Sequence, residues 1–368
     1  MKVWLRSTLL WTLLLSTPLL SRSLAERYPH FEYIFMEFDV DESFIDTPQF
    51  EAFAKKHEEG LQHFYHRSIQ RGKPLLPMMQ TTLVSAGLSD LLIYLAMVES
   101  GFSPAITSPK RAVGLWQFMP ATARAYDLSV STLRDERCDP ISATHAAISY
   151  LSKLHTQFGS WYLAMMAYNC GEGRLQKAIA HAQSRELATL IDPTQSILPR
   201  ETRDYIQKIL LSAMIGEATL MDFGGVGEGL LQVEVPQETN LTTLALAIDL
   251  DPQQLRDLNR QFSHACLPTD QPFYTITIPQ ERLFAFYLRG LKQTEESNDT
   301  TPPPPKRTQS YLLSHTVALG ESLEQIAKEY HTTTHAIKQS NHLQTEALTL
   351  GEILFIPVSH AQFEAHTP

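Results

Sequence analysis

The sequence predicts a mainly α domain followed by two small α+β units, each of βααβ order. Three observations predict it. From about Phe31 to Ala218, apolar residues recur at helical spacing, with caps and stops between the runs. After Ala218 the pattern changes to short alternating strands around short helices. That order then occurs twice, on either side of four consecutive prolines, which form an extended spacer.

The helices follow in order. "DTPQFEAFAKKHEEGLQHFYHRSIQRG" is an amphipathic helix or pair, ended near Gly72 and Pro74. His57, His63 and His66 fall on it and read as polar-face residues rather than metal ligands. Ser89 can cap "SDLLIYLAMVES", which is apolar almost all round and therefore central. Asp139-Pro140 is a cap followed by proline at the first helical position. The stripe Ile141, Ile148, Leu151, Leu154, Phe158 continues that helix until Gly159. "WYLAMMAYN" is a buried helix broken at Gly171 and Gly173, and "RETRDYIQKILLSAMIGEA" is the last long helix. "FGGVGEG" reads as a loop. The first repeat runs from "LQVEVP" to "FYTITIP". The second runs from "LLSHTVALGESLEQIAKEY" to "GEILFIP". Leu258-Asn259 and Ser340-Asn341 hold matching places, and both copies end in Ile-Pro.

Length, at 368 residues, fits two or three domains, and 43% hydrophobic residues are enough for their cores. A net charge of -10 leaves no broad basic patch, which argues against nucleic acid as a partner. Uncharged glycan is not excluded. Lys2 and Arg6, the apolar run Leu9 to Leu20 and the small-residue site Ser23-Leu24-Ala25 predict a signal peptide over 1–25. The alternative is an uncut N-terminal anchor. No cysteine lies near the site, which argues against lipidation, and no later run is long enough to span a membrane. The chain is expected to be exported to the periplasm or cell envelope, soluble or peripherally membrane-held. Three cysteines, Cys138, Cys170 and Cys266, are too few for a disulfide scaffold. No Cys/His spacing suggests a metal, and no cofactor is expected.

"LAMVESGFSP" carries the chemical question. Glu99 ends an apolar helix with no basic neighbour in sequence, so burial and the helix C-terminus both favour its protonated form. The loop after it is fixed by Pro104 and Pro109, and Gly114 permits close backbone approach. Trp116 suits a sugar ring or the core, and Gln117 both donates and accepts. An acid beside such a loop fits glycosidic cleavage, which needs a proton at the leaving oxygen. The residues alone leave open the plainer alternative, a capped helix with a solvent-facing Glu.

"ESGFSPAITSPKRAVGLWQFMPATA", "AYNCGEGRL" and "LPRETRDYIQKIL" resemble the three signatures of the lytic transglycosylase family, in that family's order. The resemblance implies a goose-type lysozyme-like domain over 29–222. "HTVALGESLEQIAKEY…AIKQSNHL…LGEILFIP" resembles a LysM glycan-binding module over 311–358. The earlier copy, 230–292, resembles a degenerate one, and 293–310 is the linker. The expected partner is then the peptidoglycan glycan strand.

The same resemblance implies roles. Glu99 is the single acid/base. Ser108 lies near the acid and the substrate's N-acetyl group. Gln117 and Met119 line sugar subsites. Tyr168 and Asn169 position substrate and acid, and Tyr205 lies close to the carboxylate. It implies cleavage of the β-1,4 MurNAc-GlcNAc bond without water, giving 1,6-anhydro-MurNAc ends. The alternatives are a hydrolytic muramidase, whose second carboxylate is sought first at Asp127 or Glu172, and a non-catalytic wall-binding protein.

Overall fold

The computed structural model describes residues 22–218, 229–290, 311–318, 320–341, 343, 345–348 and 353–358. The predicted apolar leader, the "FGGVGEG" loop up to its last glycine and the proline-rich spacer lie outside them. The chain divides into two compact units, residues 1–286 and 287–368.

The first unit opens with α1 (Leu24–Arg27), α2 (Phe31–Glu37), α3 (Pro48–Gly72) and α4 (Leu76–Ser85). Ser23 and Glu26 form a reciprocal cap on α1, and Leu24 is buried. The signal boundary expected after Ala25 therefore falls inside a folded, core-anchored turn. Helix α3 is one continuous helix, capped by Thr47 and begun by Pro48. A 3-10 turn capped by Ser89 leads into α5 (Ile93–Ser100), buried from Ile93 to Met97.

After α6 (Pro120–Ala125) comes α7 (Pro140–Phe158), with the predicted Asp139 cap, Pro140 start and Gly159 stop. Helix α8 (Trp161–Cys170) ends at Gly171, where α9 (Glu172–Ala182) begins, so Gly173 is helical rather than a break. Helices α10 (Leu187–Leu190) and α11 (Arg200–Ala218) follow. Helix α11 packs on α2, α3, α5 and α8, which makes it the spine of a core that runs from Leu24 to Leu258.

The first βααβ copy belongs to the same compact unit. Strand β1 (Leu230–Pro236) pairs antiparallel with β2 (Phe273–Pro279), around α12 (Leu241–Ala247) and α13 (Pro252–Leu258); a short α14 (Leu283–Ala285) follows. Asp139 ties this copy to the helices. Its buried carboxylate accepts from Ile141 N (3.0 Å) and Ser142 Oγ (2.9 Å) at the start of α7. It also accepts from Gln232 Nε2 (2.9 Å) on β1 and Thr277 Oγ1 (3.4 Å) on β2. Ser263 N and Oγ bond to Leu133 O and Thr132 O at 3.4 and 2.7 Å.

In the second unit, β3 (Tyr311–Thr316) pairs antiparallel with β4 (Ile353–Val358), around α15 (Leu323–Glu329) and α16 (Thr334–Ser340). The repeat holds in detail. Asn259 Nδ2 donates to Leu255 O (2.9 Å), and Asn341 Nδ2 donates to Ile337 O (2.8 Å), each four residues back.

Asp139→Ala removes a helix cap and leaves buried donors unpaired. The expected loss is about 2–4 kcal/mol of stability, read as a lower urea midpoint with an unchanged slope.

Candidate active site

Helix α5 stops because Gly101 takes the left-handed conformation (φ 57°) and closes the last turn through Gly101 N to Met97 O, at 2.7 Å. Glu99 is thus held one residue before the helix end, partly exposed, on a helix buried from Ile93 to Met97. Across from it, the Tyr205 hydroxyl of α11 donates to Glu99 Oε1 at 2.6 Å. The Glu99 carboxyl is pushed up to about 7. Burial is the main cause; the Tyr205 hydrogen bond opposes it, and the charge of Glu201 adds to it. Burial and the charge of Glu99 hold the Tyr205 and Tyr168 hydroxyls well above their ordinary range, so both remain donors.

Tyr168, on α8, donates its hydroxyl to Trp116 O at 2.6 Å and so fastens the loop after Glu99 to the helix bundle. Its ring lies 5.2 Å from Tyr150, which lies 5.0 Å from Tyr126. Asn169 Oδ1 accepts from the buried Thr202 hydroxyl at 2.9 Å, joining α8 to α11. Trp116 is fully buried, with Nε1 donating to Thr144 Oγ1 at 3.0 Å, so its face serves the core.

The loop residues hold their own fold. Ser108 Oγ accepts from Ala112 N (3.0 Å), and Gln117 Nε2 donates to Gly114 O (2.8 Å) and Ile106 O (3.1 Å). Met119 is 44% exposed at the start of α6. A hydrogen bond brings Tyr205 directly to Glu99, while Ser108, Gln117 and Met119 make none to it. The sequence reading missed Arg137, which is buried. It donates to Arg111 O and Phe118 O, both at 3.0 Å, and to both Asp135 oxygens at 2.8 and 2.6 Å. Gly114 (φ 87°) lies so close that a Cβ would sit 1.7 Å from Arg137 O. The one sequence signal for this brace is that glycine.

Neither proposed second carboxylate is paired with Glu99. Asp127 is exposed, and Glu172 accepts from Lys153 Nζ at 2.6 Å. Cys138, Cys170 and Cys266 are free thiols, and burial pushes Cys138 up to about 12.

The transglycosylase SLT domain family matches residues 80–191, and the LysM domain family matches residues 315–357. The chain carries a transglycosylase SLT domain and a C-terminal LysM domain. The SLT match takes in Glu99, Ser108, Gln117, Met119, Tyr168 and Asn169 but ends before Tyr205. Membrane-bound lytic murein transglycosylase D of Escherichia coli (strain K12) is 27% identical over 325 residues, 86% of this chain and 71% of that protein. Soluble lytic murein transglycosylase of Salmonella typhimurium (strain LT2) is 32% identical over 122 residues, 32% of this chain and 18% of that protein. Among solved structures, the 70 kDa soluble lytic transglycosylase SLT70 from Escherichia coli matches at 24% identity and a TM-score of 0.34. That match covers 40% of this chain and 24% of that one.

The raised acid has a cost in stability. An unfolded Glu titrates near ~4.3, whereas folded Glu99 titrates at about 7. The stability due to its proton is full below the unfolded value and is lost as pH rises through the folded one. Glu99→Gln cannot lose a proton. Its melting temperature should therefore gain on wild type between about pH 4 and pH 8; a constant difference would show that burial does not penalise the Glu99 charge.

Proposed function

We propose that the protein is a peptidoglycan lytic transglycosylase that cleaves the β-1,4 MurNAc-GlcNAc bond, with Glu99 as its single acid/base. The observation that carries this reading is the partly buried Glu99 carboxyl, raised to about 7 and bonded by the Tyr205 hydroxyl. It is supported by the SLT match and by relatives named lytic murein transglycosylases.

The raised acid keeps a large protonated fraction in neutral solution, and that form gives its proton to the glycosidic oxygen as the C1–O bond breaks. The sugar's own N-acetyl oxygen stabilises the cation at C1. Glu99, now a carboxylate, accepts the C6 hydroxyl proton, and O6 closes on C1. The bond broken and the bond formed balance without water. Tyr205 stabilises the carboxylate while it waits for the second proton. Asn169, held by Thr202, and the loop bearing Ser108, Gln117 and Met119 supply the sugar-binding walls.

In this reading residues 29–222 form the catalytic domain and 311–358 the glycan-binding module, with 230–292 as a degenerate copy and 293–310 as the linker. Export to the cell envelope brings the enzyme to its substrate. A tethered binding module raises the local concentration of the catalytic unit on a polymer.

Products carry the test. O6 is tethered to the reacting ring, so its effective concentration reaches ~10⁵ M or more in well-oriented cases. Murein digested in ¹⁸O-water should give unlabelled 1,6-anhydro ends, and Glu99→Gln should give almost none. Labelled reducing ends would establish the hydrolytic muramidase instead. A chain stopped at Glu295 should cleave short soluble glycans at the wild-type rate yet sediment less with insoluble sacculi. Equal sedimentation would remove the binding role of the C-terminal module.

A further inference from the structure

A helix commonly ends on one left-handed residue; α5 ends on two. Gly101 (φ 57°) is the ordinary one. Phe102 follows it at φ 58° and is fully buried. That backbone is uncommon for a residue with a side chain, and for a bulky one it persists only where surrounding contacts fix it. Those contacts come from the last two residues of α3. The Phe102 ring lies against Gly72, where a Cβ would sit 2.6 Å from Phe102 Cδ2 and 2.8 Å from its Cγ. Arg71 donates from Nη1 to the Gly101 carbonyl, one of those a helix end leaves without a helical partner. Between Glu99 and this turn, the buried Ser100 hydroxyl bonds back to Ala96 O at 3.1 Å.

The same helix reaches the partner of the acid. Helix α3 packs on α11, which carries Tyr205, and α11 packs on α5. One element therefore holds both sides of the 2.6 Å bond between Tyr205 and Glu99. An acid set by burial and by the Tyr205 hydroxyl is sensitive to small shifts of its helix end. We propose that Arg71 and Gly72 are positioning residues for Glu99: they hold the Gly101-Phe102 turn left-handed and so fix the place of the carboxyl against Tyr205. The proposal rests on the transglycosylase reading and adds the part of the fold that aims its acid/base. Glu99 also interacts with Glu201 of α11 and Tyr168 of α8. Substitution at Arg71 or Gly72 leaves both in place.

Arg71 is exposed, so Arg71→Met should fold. Its kcat on soluble murein strands should fall about tenfold with KM little changed, because the acid has moved and the sugar walls have not. The alkaline limb of its pH profile should move down by about one pH unit, because a released turn lets water reach the carboxyl. Gly72→Ala should do the same. Arg71→Lys, which keeps a cationic donor, should recover most of the activity. Rates are read well below the melting temperature of each variant, where a pair that only stabilises the fold would leave kcat and the limb unchanged. That result in Arg71→Met would overturn the proposal, and so would a lowered kcat with an unmoved limb. If Gly72→Ala does not fold, Arg71→Met decides. ¹³C NMR of the glutamate carboxyls, with Glu99 assigned by the signal lost in Glu99→Gln, reads the acid without substrate. Glu99 should titrate lower in Arg71→Met than in wild type; equal titration would overturn the proposal. Wild-type digestion that yields no anhydro ends would defeat the transglycosylase reading while leaving that titration result intact.

Discussion

The hydrogen bond between Tyr205 and Glu99 is the constraint on which the catalytic unit depends. A carboxylate on a helix buried from Ile93 to Met97 is unfavourable unless something satisfies it. Helix α11 provides that donor, and it can do so because it packs on α2, α3, α5 and α8 at once. The same packing that withdraws water from Glu99, and so raises its pKa, also fixes the one hydroxyl that tempers the rise. Burial wins, and the balance near 7 suits the role proposed for Glu99, to give a proton and then take one back.

A second layer of contacts holds the loop that follows this acid in the chain. Tyr168 takes the carbonyl of Trp116, and Arg137 takes the carbonyls of Arg111 and Phe118. Arg137 is itself fixed by Asp135, whose backbone N–H donates to Gln261 O in the first βααβ copy, at 2.8 Å. The first copy is therefore joined by a continuous set of hydrogen bonds to the loop that bears Ser108 and Gln117. Its sequence resembles a binding module, yet its Gln232, Asn259 and Thr277 bond inward.

Much of this was legible in the sequence, for local reasons. Asp139-Pro140 and Gly159 fix the ends of α7 through capping chemistry that needs no tertiary context. Glu99 stood out because an acid on an all-round apolar helix breaks the local pattern. The partners of these residues were not legible. Thr202 and Arg137 act on groups 33 and 19 residues away in sequence. Nothing local marks a threonine or an arginine for that task. Trp116 was ambiguous for the same reason: a flat ring suits sugar or core, and only the position of Thr144 selects the core.

The two βααβ copies separate what a repeat must keep from what it is free to change. Each keeps an Asn after its second helix that bonds four residues back, because that contact closes the helix end before the chain crosses to the final strand. Each keeps an antiparallel strand pair around two short helices. They differ one place before the shared Ile-Pro: the first copy has Thr277, the second Phe355. Thr277 is fully buried, donates its backbone N–H to Asn259 Oδ1 at 2.7 Å and gives its hydroxyl to Asp139. A phenylalanine has no hydroxyl to give. The polar set that joins the first copy to α7 is thus an addition to the common plan, and it is this addition that turns a repeat unit into part of the catalytic unit's frame.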